Sequence, residues 1–473
     1  MDVTLLARIQ FALTIAFHYI FPPLSIGLGV LLVIMEGLYL KTGNPLYHRM
    51  TRFWVSVFAL IFGIGVATGL VMEFQFGTNW ATYSRYVGDI FGSALAAEGL
   101  FAFFLESGFL AILVFGWNKV GKGLHFFSTL MVALGSMFSA VWIVVANSWM
   151  QTPAGFHIVS NHGVARAEVT DFWAMVLNPS SLDRLSHVLS GAWLAGATLV
   201  LSVSAYYYLK NRHLDFAKAG VKIALGFLAV ACCTQLLSGH SSAMLVAKYQ
   251  PAKLAALEGH FHTGPADLYL MGVVDEPGKR VLGLKIPGGL GLLLSANPQQ
   301  VVPGLDRFPP EEQPPVQVPF QAYHLMIAIG MGLIGLATLG LFFWWRGTLF
   351  EQRWLLWAMV LSVLGPQVAN QAGWIAAEVG RQPWIVYGLL KTKDAVSRAV
   401  GAEQVLGSIV LFSGIYLLLF VLFLYLLTQK IRKGPQDEAA SKIHPPEAAG
   451  AFNPAMKNRP LLTGLNTATE RTD

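Results

Sequence analysis

Cysteine and charge are what this 473-residue chain has least of. Its two cysteines, Cys232 and Cys233, are adjacent inside an apolar segment. That spacing suits neither a structural disulfide nor a four-ligand zinc site, and the pair reads as buried packing. Charged residues make up only 12% of the chain against 55% hydrophobic ones, which excludes the reading of its length as about three soluble domains of ~150 residues each. No small-residue cleavage site follows Asp2, Arg8 and the first apolar stretch, so no removable signal peptide is read. A net charge of +6 would suggest nucleic acid in a soluble protein; here the basic residues cluster between apolar runs, which topology explains, and no nucleic-acid partner is expected.

What the chain has is a series of apolar runs. Nine spans are predicted, near 14–40, 52–75, 92–117, 125–148, 185–209, 219–240, 320–345, 354–379 and 404–429, each reaching the ~20 residues that cross a hydrocarbon core. Alternate connections carry the basic residues: Lys41, Arg49 and Arg52; Lys119 and Lys122; Lys210, Arg212, Lys218 and Lys222; Arg346 and Arg353; Lys430, Arg432 and Lys433. The positive-inside rule makes these connections cytoplasmic. The expected fold is therefore an all-α polytopic membrane bundle with its N-terminus outside and its C-terminus in the cytoplasm. Residues 1–430 form the transmembrane domain, and 431–473 a polar, disordered cytoplasmic tail. Segments 149–184 and 241–319 become outer loops, the second too long and too rich in Pro and Gly for a mere connector.

Ionisable groups inside such spans are costly, about 2.5–3.5 kcal/mol for a charge at mid-membrane on the insertion scale, and read as functional. His18, Glu98, His187, Met326 and Glu378 are expected in one layer near the outer leaflet. Buried His and Met without a Cys framework or carboxylate cluster suit haem iron better than zinc or calcium, and a His/Met pair makes a six-coordinate electron-transfer haem, with His187 and Met326 as candidates. Pro22 cannot bond the His18 carbonyl, so the helix should loosen beside that imidazole. Glu98 and Glu106 lie eight residues apart, about 12 Å in height and roughly 80° around a helix, so a proton path along span three from the cytoplasmic side is expected, extended by Ser107 and Gly108. Asn370, Trp374 and Glu378 share one face that ends at Arg381, which can neutralise a propionate or the carboxylate itself.

Long runs then carry a resemblance. They are Arg8-Ile9-Gln10-Phe11-Ala12-Leu13-Thr14, Gly69 through Trp80, Glu98-Gly99-Leu100 through Glu106-Ser107, and Glu378-Val379-Gly380-Arg381-Gln382-Pro383-Trp384. Over about residues 5–430 the sequence resembles subunit I of the cytochrome bd-type quinol oxidases, of the short-loop kind that includes the cyanide-insensitive oxidases.

The resemblance implies two haem b and one haem d, or a third haem b. His187 and Met326 would hold the low-spin haem b, and His18 and Glu378 the two haems of the oxygen-reducing pair, with Glu98 beside it and Trp374 and Arg381 flanking. Lys253 and Glu258 match the outer-loop positions that take part in quinol oxidation. His324 stands two residues before the Met ligand, where Arg is common. The expected function is a terminal respiratory quinol oxidase subunit of the bacterial cytoplasmic (inner) membrane. It oxidises quinol at the outer face and reduces O2 to water with protons from the cytoplasm. Its partners would be a second multispan subunit and a small single-helix one. A haem-free ion or proton-coupled transporter is the alternative, although its internal repeat is not apparent.

Overall fold

Pro22 and Pro23 decide how the chain begins. The computed structural model, which describes residues 2–161 and 164–436, has α1 (Val3–His18) and α2 (Phe21–Thr42) where one span over 14–40 was expected. Without an amide hydrogen at Pro22 the α-helix cannot bond the His18 carbonyl, so α1 ends at that histidine, and the prolines fall in the first turn of α2, where none is needed. Asp2 caps α1 by accepting from the Thr4 amide at 2.9 Å. Gly43, at φ 67°, ends α2, and Asn44 caps α3 (Pro45–Thr78) by accepting from Leu46 at 2.9 Å.

A short α4 (Ala81–Tyr86) leads to the third span, which is α5 (Gly88–Glu98), one π-helical turn (Gly99–Phe103) and α6 (Phe104–Phe115). Next come α7 (Lys122–Gln151), the antiparallel hairpin β1 (Phe156–Asn161) and β2 (Val164–Val169), and a short α8 (Phe172–Val176). Two long helices, α9 (Ser181–Leu209) and α10 (Leu214–Tyr249), precede α11 (Pro251–Glu258).

The segment expected as an outer loop is ordered. It holds β3 (Gly264–Pro265), a hairpin of β4 (Leu268–Asp275) and β5 (Arg280–Ile286), α12 (Gly289–Ser295) and β6 (Val301–Val302), which pairs with β3. The chain returns through α13 (Gln317–Trp345), α14 (Arg353–Leu361), α15 (Leu364–Val379) and α16 (Ala402–Lys433).

Among the described residues, eight helical stretches are long and apolar enough to cross a membrane, α1 and α2 counting as one. The eighth expected span, 354–379, is interrupted at Ser362–Val363 between α14 and α15. Pro366 is the cause, since it cannot donate to the Ser362 carbonyl four residues earlier. Residues 437–473, which hold most of the expected tail, lie outside the described residues.

The core runs along α2 and α9, with α3, α10 and α14 packed around them. α13 and α16 are peripheral: Met331, Leu417, Leu418 and Val421 face outward, as side chains in contact with lipid or another apolar surface do. α2 and α9 cross closely at Gly27 and Gly196, where a Cβ on Gly196 would sit 2.2 Å from the Gly27 carbonyl carbon. Backbone cannot yield as a flexible side chain does. Gly196→Val should therefore cost at least the ~1–3 kcal/mol of overpacking and lower the thermal midpoint, whereas Gly63→Ala, which meets nothing, should leave it unchanged.

Candidate functional site

Both imidazoles are prepared in the same way. The Thr68 hydroxyl donates to the carbonyls of Ile64 and Gly65, both at 3.0 Å, so it can only accept from His18 Nδ1, also at 3.0 Å. That fixes the Nδ1–H tautomer and leaves the Nε2 lone pair for a ligand. For His187 on α9, Ser238 of α10 donates to the Gln235 carbonyl and accepts from His187 Nδ1 at 3.0 Å, while the Gln235 amide, also on α10, lies 3.0 Å from Nε2. A metal at His187 would replace that amide contact.

Met326 lies on α13 against α15, where Gly373 makes room: a Cβ there would be 2.9 Å from the thioether sulfur. On the same helix, Asn370 reaches Gly191 of α9, one turn beyond His187. The candidate ligands thus belong to two helices, α9 and α13, that both pack on α15. His324 bridges the carbonyls of Phe320 (2.8 Å) and Tyr269 (2.9 Å), which ties the outer hairpin to the start of α13.

The end of α1 docks on the same helix. Gln371 donates to the Ala16 carbonyl at 2.8 Å, and Tyr19, next to His18, meets Trp374 edge-on at 5.5 Å. One turn on, Glu378 accepts from Asn147 and Gln151 of α7, each at 3.2 Å, and pairs with Arg381. Asn147 also receives Arg184, and Gln151 receives the Lys253 ammonium at 3.1 Å. Three cations therefore converge on one carboxylate. Arg381 Nε and Nη1 and Arg184 Nε are covered yet have no partner, and the Glu378 side chain keeps 32% of its surface open. Such an excess of unused donors fits an additional anionic group of the propionate kind, and the open carboxylate fits a metal ligand.

Lys253 and Glu258 sit on α11, five residues and roughly 140° apart, so they serve different neighbours. Burial, then the nearby Arg184, holds the Lys253 ammonium well below the usual lysine range. Glu258 faces Tyr323 and has no hydrogen bond of ordinary geometry on either oxygen; burial pushes it up to about 7.

Glu98 and Glu106 both turn to α7, Glu98 accepting from Ser139 at 2.8 Å and Glu106 from Ser136. The π-turn between them explains this: one extra residue winds the helix back by about 100°, offsetting the roughly 80° separation of a regular helix. Gly135 permits the approach, since a Cβ there would be 2.9 Å from the Glu106 Cβ. Ser107 is exposed and donates to Phe103, so it does not extend the strip as expected.

The expectation of a single layer also needs correction. His18 ends α1 and Glu98 ends α5, neither starting a span, and Glu98 meets α7 eight residues, about 12 Å, below Asn147, the partner of Glu378. Asn147, Gln151 and Arg184 were missed, although Asn147 and Gln151 stand at i, i+4 in a membrane helix and Arg184 three residues before His187.

Fold and site define a multi-pass helical membrane protein whose interior holds imidazoles, a thioether and a cation-clamped carboxylate. The sequence model of the cytochrome bd terminal oxidase subunit I family matches residues 6–435. The chain is 38% identical to the cytochrome bd ubiquinol oxidase subunit 1 of Bacillus subtilis (strain 168), over 93% of this chain and 95% of that protein. It is 36% identical to the cytochrome bd-II ubiquinol oxidase subunit 1 of Escherichia coli (strain K12), over 92% and 97%. Among solved structures, the bd oxidase from Geobacillus thermodenitrificans matches with a TM-score of 0.84 and 29% identity, covering 92% of this chain and 99% of that one. The chain belongs to the cytochrome bd terminal oxidase subunit I family and is a quinol:oxygen oxidoreductase of the respiratory electron-transport class.

Proposed function

We propose that this chain oxidises quinol at the outer face of the bacterial cytoplasmic membrane, carries three haems, and reduces O2 to water with protons taken from the cytoplasm. The basic side chains around Glu378 are the observation that carries the reading, because protein alone leaves donors of Arg184 and Arg381 unsatisfied. His187 and Met326 hold a low-spin haem b. His18 and Glu378 hold the two haems of the oxygen-reducing pair, of types b and d or both b. When bound, haem supplies one-electron storage and the place where O2 is reduced. Arg184, Arg381 and Lys253 hold the carboxylate and propionates, Trp374 flanks the site, and Glu106 and Glu98 pass protons along α7. A second multispan subunit and a small single-helix one complete the enzyme; the name subunit 1 of the relatives supports the presence of a second subunit.

Glu258, near neutrality in its buried position, accepts a quinol proton, while Lys253 joins the outer segment to Glu378 through Gln151. A cavity of about 290 Å³ lined by Met244, Lys248, Pro251, Leu254, Leu294 and Val302 offers quinol an apolar berth on the same helix. Lys253→Ala and Glu258→Ala should slow quinol oxidation far more than oxidation of an artificial one-electron donor. In the unmodified enzyme the quinol rate should fall as pH drops through about 7, where Glu258 becomes protonated and can no longer accept, and Glu258→Gln should flatten that limb. Equal slowing with both donors would remove quinol from this site. Extraction of the haems and their identification by mass tests the cofactor set, and a reduced-minus-oxidised spectrum without haem bands would instead favour a transporter.

A further inference from the structure

α7 carries a third hydroxyl–carboxylate pair that the reading above leaves unused. Near the end flanked by Lys119 and Lys122, the Glu36 carboxylate of α2 accepts from His125 Nδ1 at 2.7 Å and from Thr129 Oγ1 at 2.5 Å. All three are buried, at 4%, 4% and 1% exposure, which is costly for a group of this polarity in a membrane helix. An apolar trio would fill the same space at lower cost. His125 Nε2 is covered and has no partner, an acceptor left without a donor.

The pair lines up with the others. His125, Thr129, Ser136 and Ser139 fall within roughly 80° of one another around α7 and rise over about 21 Å. Their hydroxyls serve three carboxylates brought by three different elements: Glu36 by α2, Glu106 by α6 and Glu98 by α5. Trp117, in the Gly-flanked turn before α7, lies 4.1 Å from the His125 ring and covers it, with the Arg52 guanidinium 5.5 Å from the indole and His48 edge-on to it at 5.3 Å. Lys122 stands over Tyr39 at 4.9 Å.

We infer that Glu36 and His125 form the loading station through which protons from the cytoplasm join the α7 route to Glu106. The inference rests on the proton route proposed above. A water proton adds to the free Nε2 of His125 while the Nδ1 proton passes to Glu36, leaving a neutral ring and a carboxylic acid. Glu36 then releases that proton to the Glu106 carboxylate across the turn holding Val132 and Ala133, a gap of about 10 Å that transient water must bridge. The station resets when the Nε2 proton returns to cytoplasmic water and Nδ1 takes a proton from a second water, which restores the Nδ1–H tautomer and leaves a net transfer of one proton to Glu106.

The test uses the complete oxidase in proteoliposomes. Glu36→Gln keeps shape and hydrogen bonding, as does His125→Gln in part, and both should cut oxygen turnover and membrane potential at least ~10-fold. Haem spectra, thermal midpoint and anaerobic haem reduction by quinol should stay unmodified. Imidazole supplied on the Lys119 and Lys122 side should restore His125→Ala, and imidazole on the opposite side should not. Turnover above half the unmodified rate in Glu36→Gln and His125→Gln overturns the inference, as does a loss accompanied by altered spectra and a lowered midpoint, which marks a structural ion pair. If Glu106→Gln fails to build potential while both station variants work, only the loading station is wrong; if all three work, the route along α7 is wrong.

Discussion

Met326→Leu should convert the low-spin haem of the assembled oxidase to a high-spin form or lose it altogether. Leucine nearly conserves volume and cannot donate a lone pair, so packing survives while the proposed thioether ligand would be lost. The surroundings favour a clean result, because Met326 packs among Leu257, Ala322, Ala372 and Ala376 and against the bare Gly373 backbone. Gly373→Ala should move the spectrum the same way by a smaller amount, since its Cβ would press on the thioether from 2.9 Å. Low-temperature absorption and electron paramagnetic resonance read both variants. An unchanged low-spin signal in Met326→Leu would take the ligand role away from this residue.

Glu106→Gln should stop oxygen turnover and the coupled membrane potential together, by on the order of 10²-fold or more, while anaerobic reduction of the haems by quinol survives. The amide can still accept from Ser136 and fits beside Gly135, so the helix pair should hold. What it cannot do is take up and release a proton. Glu106→Asp should recover part of both activities, and Ser136→Ala should have the smaller effect of losing one hydrogen bond. The assignment is falsified if Glu106→Gln consumes oxygen and builds potential at the unmodified rate.

Much of this protein was legible because the information is local. Pro22 loosens the chain at His18 through a missing amide hydrogen four residues away, and the break stands where that argument puts it. Pro366 gives the same signal within 354–379, and overlooking it merged α14 and α15 into one span. Apolar length and the placement of Lys and Arg are properties of segments, so a polytopic helical bundle followed from composition. The candidate ligands were legible because a His or Glu in an apolar run has few ordinary explanations.

The sequence by itself determined the membrane bundle, the helix break at His18 and the short set of side chains able to hold iron or carry protons. Only the tertiary structure decided their partners. One π-turn realigns Glu98 with Glu106 on α7, Arg184 and Lys253 arrive from separate elements to surround Glu378, and Glu36 meets His125 across 89 residues of chain. Such meetings depend on how each helix is rotated about its axis and where it crosses its neighbour. Those angles are fixed by close contacts such as Gly27 on Gly196, which hydropathy and spacing along one helix do not encode.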